Sequence, residues 1–309
     1  MSDRAHLGGG LPKITGSQVG IVYEQPLFRP PSESESLILQ VTIGCSHNRC
    51  GFCAMYRGKR FRVKSPEKVA DEIVQARTTL GPHVPRVFLA DGDAMCLSAG
   101  RLTAILEPLN AAFPHLERVG IYANARDVLA KSDEELAELR RLKLGILYLG
   151  LESGDDVTLT AVDKGATAGE IVGATRRAQA AGMSTSVMVL IGVAGRQRGL
   201  LHARSSAEAI NRMEPTYTGL LTYTPVPGTP LHDRIERGEL ELPGPLESVE
   251  EIREFVRTLD CETYFTCNHA SNYLPLKGRM PQVKPDVLAY LDAALAGRLA
   301  LKPEFLRGL

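Results

Sequence analysis

From residue 36 onward, short apolar runs alternate with longer amphipathic stretches, which is the pattern of repeated strand–helix units. The run Leu37-Ile38-Leu39-Gln40-Val41 carries β-branched residues and predicts a strand buried in a parallel sheet. Ser65 and Pro66 then supply an N-cap and a proline at the first helical position. Val69, Ile73, Ala76 and Leu80 recur on one face of the helix they open. A second strand over 87–90 leads to a helix from about Ser98 to Ala112, and a third strand covers 118–122. Ser132 with Glu135 forms a capping box for the next helix. A fourth strand over 145–150 precedes a helix that Gly182 closes. Strand five (186–191), a helix over 202–213 and strand six (219–223) complete the series.

Six such units with short connections predict an α/β fold: a parallel sheet with helices outside, as a partial (β/α)6 barrel or a doubly wound sheet. In either arrangement a site belongs at the C-terminal ends of the strands. The Gly-, Pro- and Ser-rich stretch 1–34 reads as an N-terminal arm, 35–232 as the partial barrel, and 233–309 as a C-terminal extension that is a candidate substrate-side cap. Within that extension 246–259 reads as an amphipathic helix and 284–295 as a last helix, while 264–281 shows no clear period.

Composition narrows the function classes. The 309 residues carry 36 Lys+Arg against 36 Asp+Glu, so nothing points to nucleic acid or an acidic membrane surface. No apolar run is long enough to span a bilayer, and residues 1–10 lack the apolar core of a signal peptide, so a cytoplasmic protein is expected. In that compartment six cysteines favour metal or redox chemistry over disulfides.

Three of the six, Cys45, Cys50 and Cys53, fall within nine residues directly after the first strand. Thiolates suit iron–sulfur clusters, and three of them on a four-iron cluster leave one iron open to chelate a substrate. The alternative is zinc held by the same cysteines plus His47, in a non-catalytic binding module. The position in the first β/α loop of a parallel fold favours the cluster.

This segment resembles the radical S-adenosylmethionine (SAM) superfamily, in the branch of coproporphyrinogen dehydrogenases, methylthiotransferases and elongator-like enzymes, over roughly 36–232. The spacing departs from the family pattern: four residues rather than three separate the first two cysteines. The resemblance implies a [4Fe-4S] cluster, SAM as second cofactor, and a one-electron donor such as flavodoxin or ferredoxin. It implies roles for further residues. Phe52 stands where the family contacts adenine, and Asp91-Gly92-Asp93 where it keeps its Gly-Gly-Glu motif for the methionine amino group. A plain βα turn accounts for the same three residues. Glu152-Ser153-Gly154 looks like the family's Glu-Ser-Gly segment, and Lys164 stands where relatives carry a basic residue near the SAM carboxylate, unless it is a solvated helix residue. Tyr122 and Asn124 match pocket positions, although Tyr122 also suits the core. Gly192, ending strand five, matches the adenine-binding strand, and Met188 replaces an acid that binds ribose in some relatives. Pro227-Gly228-Thr229-Pro230 matches a structural turn of the same branch.

The resemblance implies reductive cleavage of SAM and a radical, normally 5′-deoxyadenosyl, that abstracts hydrogen from a small molecule or other unidentified substrate. Transfer of another SAM fragment is the variant that the cysteine spacing prompts. No room is evident for a cobalamin-binding domain or an RNA-binding barrel. Cys96, Cys261 and Cys267 with His269 form no compact motif, so buried cysteines are expected rather than a second cluster. The polar stretch 268–273 is a candidate for substrate contact or a surface loop. No catalytic side chain is singled out.

Overall fold

The computed structural model describes residues 19–308; positions 1–18 of the expected arm lie outside them. In chain order the elements are β1 (Leu37–Gln40), β2 (Thr42–Ile43), β3 (Arg62–Val63), α1 (Pro66–Leu80), β4 (Arg86–Ala90), α2 (Ala99–Ala112) and β5 (Arg118–Ala123). Then come α3 (Ala125–Leu129), α4 (Asp133–Arg141), β6 (Leu144–Glu152), α5 (Asp156–Ala161), α6 (Ala168–Ala180), β7 (Ser184–Ile191) and α7 (Gly199–Met213). The last are β8 (Tyr217–Thr222), α8 (Pro230–Glu236), α9 (Pro245–Thr258), β9 (Thr263–Cys267), β10 (Leu276–Met280) and α10 (Lys284–Leu295).

All six expected strands form, and local chemistry sets the helix starts. Ser65 accepts from the Lys68 N–H and Ser98 from the Arg101 N–H. Capping boxes open α4 (Ser132, Glu135) and α6 (Thr167, Glu170). Helix α7 starts at Gly199, three residues ahead of its expected start, and α3, α5 and α8 are short helices the apolar period did not signal.

The main sheet runs β1-β4-β5-β6-β7-β8-β9-β10, and β1 and β10 are not joined, so the barrel is open. Every neighbouring pair is parallel except β9 with β10. The stretch 264–281, read as lacking a period, contributes these two strands. Each has only five residues, and β10 carries Lys277, Gly278 and Arg279, so its pairing with a remote strand outweighs a weak local preference.

The outer face of the sheet packs on the helices in one large apolar core that includes Leu39, Leu89, Ile121, Leu149, Val189, Leu220 and Phe265. The inner face differs along its width. Across β1, β4, β5 and β6 it buries Ile38, Phe88, Ile146 and Tyr148, with Tyr122 packed against them. The described part of the N-terminal segment covers this half. The Tyr23 hydroxyl donates to Ile38 O (2.8 Å), and the inward Gln40 amide exchanges two hydrogen bonds with the Glu24 backbone (3.0 and 3.1 Å). Buried Glu33 accepts from Tyr148 and Arg118. On β7 burial alternates residue by residue, so one face is open. The strand-end loops meet across the opening: the Leu231 N–H, beyond β8, donates to Gly51 O (2.9 Å), in the cysteine loop. No described helix is long and apolar enough to cross a membrane.

Candidate functional site

The cysteine loop, 44–61, leaves the sheet through a two-stranded clamp in which Thr42 faces Val63 and Ile43 faces Arg62. Gly44 enters it at φ +79°, a conformation that favours glycine. Inside the loop the Arg57 guanidinium donates to the carbonyls of Cys50 and Cys53, both at 2.8 Å. The Gly51 N–H donates to Val162 O (2.6 Å). Phe52 packs with Val162, Val193, Tyr223 and Leu231.

All three thiols are free and half-buried. Burial raises each, Cys50 to about 12. Cys50 also feels the charges of Lys164, Glu152, Cys53 and Cys45, which puts the three sulfurs and the Glu152–Lys164 pair in one neighbourhood. Glu152 sits at a register shift in β6 with φ +61°, and its Oε1 lies 3.0 Å from Lys164 Nζ. Burial opposes charge on Lys164, but Glu152 and the nearby thiols outweigh it and raise its pKa. Lys164 is therefore a buried ammonium and not a solvated helix residue.

Among the described residues no three His, Cys, Asp or Glu side chains gather tightly enough to hold one ion. Three thiolates on a single zinc would have to close to about 3.8 Å of one another. His47, the fourth ligand of the zinc alternative, has Nε2 2.7 Å from Asp163 O and its ring against Gly165. Three neighbouring soft donors, no fourth protein ligand among the described residues and an adjacent buried cation fit a cluster with one open iron.

The Asp91-Gly92-Asp93 turn follows β4. Asp91 is buried, and its Oδ2 accepts from the Gly44 N–H (2.9 Å) and the Lys59 ammonium (2.9 Å). That carboxylate binds the cysteine loop to the sheet. A Cβ on Gly92 would lie 2.4 Å from Tyr56 Cε2 and 3.2 Å from Cys45 Cβ, so a hydrogen is all that fits against the loop. Asp93 is also buried; its Oδ2 accepts from Ser46 and faces Arg126, while its Oδ1 has no partner. Neighbouring Asp127 is raised to about 6, first by burial and then by Asp93.

Three other expected positions are committed elsewhere. Ser153 is fully buried, 2.7 Å from His202 Nδ1. Tyr122 stands edge-on to Phe88, ring centres 5.0 Å apart. Gly192, at φ +83°, donates its N–H to Glu251 Oε1 (2.8 Å). Asn124, Arg126, Lys164 and His47 line a narrow cleft beside the strand ends. Cys96, Cys261 and Cys267 are dispersed: Cys96 lies near Asp93, Cys261 beside Ile210 and Cys267 in the outer core. In 268–273, Ser271 and Asn272 are buried and bonded to Thr222, so this stretch is docked onto the end of β8. Sequence reading missed Arg57, Lys59 and Tyr56, whose roles depend on the path of the loop.

Residues 39–197, just over half the chain, match the family model described as the radical SAM superfamily. The chain belongs to the radical SAM superfamily. Members of that superfamily pair a [4Fe-4S] cluster with SAM, in agreement with the donor set of the loop. No curated protein matches the chain by sequence. Among solved structures it is similar to coproporphyrinogen III oxidase HemN of Escherichia coli, with TM-score 0.57 and 18% identity over 72% of this chain and 51% of that one. Methylornithine synthase PylB gives 0.51 and 19%, covering 73% and 63% of the two chains. Streptococcus suis SuiB, solved with SAM bound, gives 0.51 and 14%, covering 75% and 50%. At these identities the likeness is one of fold, and the chain spans between half and just under two thirds of the length of these structures.

Proposed function

We propose that this radical SAM protein is an enzyme that cleaves SAM reductively, with Cys45, Cys50 and Cys53 as the three ligands of its cluster. The observation that carries the reading is the set of three neighbouring thiols beside the buried Lys164–Glu152 pair, at the C-terminal ends of parallel strands. When bound, the cluster supplies one electron that breaks a carbon–sulfur bond of SAM, giving methionine and a 5′-deoxyadenosyl radical that takes a hydrogen atom from substrate.

The chain's own residues bind, orient and exclude water. Lys164 offers its ammonium to the SAM carboxylate, and Glu152 keeps that ammonium charged and in place. Asp93 Oδ1, buried and without a partner, accepts from the SAM ammonium. Asp91, Gly92 and Lys59 are positioning residues that hold the cysteine loop against β4. Phe52 and the Gly192 turn form the adenine side; Ser153 and Tyr122 support it from the interior. Residues 35–232 serve as the catalytic unit, 1–34 as an arm and 233–309 as a substrate-side cap. A cytoplasmic setting, a flavodoxin- or ferredoxin-type donor and sensitivity to oxygen follow from this chemistry.

Anaerobic reconstitution, reduction and product analysis test the reading. A brown protein that yields methionine and 5′-deoxyadenosine is the expected result. Another SAM fragment among the products would establish the transfer variant instead. A colourless protein holding one zinc and leaving SAM intact would overturn the proposal.

A further inference from the structure

The inner face of β7–β10 is lined in register by side chains that the reading above leaves unused. One row crosses six strands: Tyr122 faces Tyr148, then Ser186, Tyr217, Tyr264 and Arg279. The next row, one step nearer the C-terminal ends of the parallel strands, is Gly150, Met188, Gly219, Thr266 and Lys277. The space over its two glycines is taken by neighbouring side chains, Glu152 with Lys164 at one and Met188 at the other, which form the floor of a shallow trough. A Cβ on Gly150 would meet Glu152 Oε1 at 2.0 Å and Lys164 Nζ at 2.8 Å, so the trough begins at the pair beside the cysteines. A Cβ on Gly219 would meet Met188 Cε at 2.9 Å and Thr266 Oγ1 at 3.5 Å. Leu276 and Met280 point to the outer core, which leaves Lys277 and Arg279 on the inner face, both exposed.

Charge identifies the occupant. Neither Lys277 nor Arg279 forms an ion pair with the described residues, and no inward strand position from β7 to β10 carries Asp or Glu. Tyr217, 42% exposed, stands edge-on to Tyr264 with ring centres 6.3 Å apart, an apolar wall with polar tips. We propose that this trough is the substrate site, and that the substrate is a small organic anion whose carboxylate or phosphate meets Lys277 and Arg279 while its body lies along Tyr217, Met188 and Gly219 toward Lys164. Arg279 gives such a group a planar, bidentate donor and Lys277 a point charge. The assignment rests on SAM being bound beside Lys164, because that end of the trough is where a radical would form.

The reconstituted protein is titrated with three probes, phenyl phosphate, benzoate and uncharged benzyl alcohol, followed by ligand-observed NMR. Phenyl phosphate and benzoate should bind saturably, and at least ten-fold more weakly to Lys277→Gln/Arg279→Gln. Benzyl alcohol should not distinguish the two proteins. Lys277→Arg/Arg279→Lys, which keeps both charges, should restore most of the affinity for the anions. Charged-probe affinity unchanged in the Gln variant, or no saturable binding by the natural chain, would overturn the trough. Iron and sulfide content and SAM cleavage by the natural chain, measured on the same preparation, report separately on the function reading. Its failure with the charge dependence intact would leave an anion site without radical chemistry.

Discussion

The two halves of the inner face are built from one sheet and solve opposite problems. From β1 to β6 the face is closed: Phe88, Tyr122 and Tyr148 interlock, and Glu33 and Gln40 attach the N-terminal segment over them. From β7 to β10 the same register continues, but with serine, threonine, methionine, two tyrosines, one glycine and two cations without an ion pair among the described residues, in a face left open. The closed half supports the cysteine loop, which must hold its geometry. In the open half Thr266 donates to Thr218 O, but Lys277 and Arg279 have no ion pair among the described residues, as a surface kept for an anionic ligand requires.

The largest test of this contrast is Cys50→Ala. It should abolish cluster uptake and lower SAM cleavage by about a thousand-fold or more, read by visible absorption and product yield. Asp91→Ala should cost about 4 kcal/mol, because it leaves the buried Lys59 ammonium without its carboxylate. Denaturant unfolding measures that loss, and iron content should fall with it. Gly92→Val and Gly219→Ala compare the halves directly. The first drives a side chain into the Tyr56 ring and should cost about 3 kcal/mol. The second meets the far end of the flexible Met188 side chain, with Thr266 Oγ1 at ordinary contact distance, and should cost under about 1 kcal/mol while weakening anion binding. Equal losses would erase the distinction between rigid and open halves.

A smaller effect comes from the buried contact that joins α7 to α9. His202 Nε2 and Glu251 Oε1 are 3.3 Å apart. Burial raises Glu251 from 4.5 to about 8 and lowers His202 from 6.5 to about 4. Folding therefore keeps a proton on Glu251: its contribution is complete below pH 4.5 and falls as pH rises toward 8. His202 stays neutral when folded, so its contribution grows as pH rises from 4 to 6.5. The two oppose each other between 4.5 and 6.5, and the Glu251 loss alone remains from 6.5 to 8, about 2 kcal/mol. Thermal unfolding across that interval should show the fall, and Glu251→Gln should remove it.

Much of this was legible before any coordinates. The strand runs, the caps at Ser65 and Ser132 and the three cysteines are local signals, and each is read within one turn or one loop. The candidate site was legible as positions but not as contacts. Asp91 and Asp93 look alike in the sequence and each keeps a buried Oδ1 without a partner, yet Oδ2 of Asp91 is held by Gly44 and Lys59 while Oδ2 of Asp93 meets Ser46 and Arg126. Lys164 was ambiguous until Glu152 was found against it.

What the sequence determined alone is the succession of parallel units and the trio of soft donors after the first strand, because periodicity, capping and ligand spacing act over a few residues. The tertiary structure alone decided which half of the inner face closes, which cation each buried carboxylate meets, and that 264–281 completes the sheet. Those outcomes depend on register between strands far apart in the chain, and a register shift of one residue would exchange every inward side chain for an outward one.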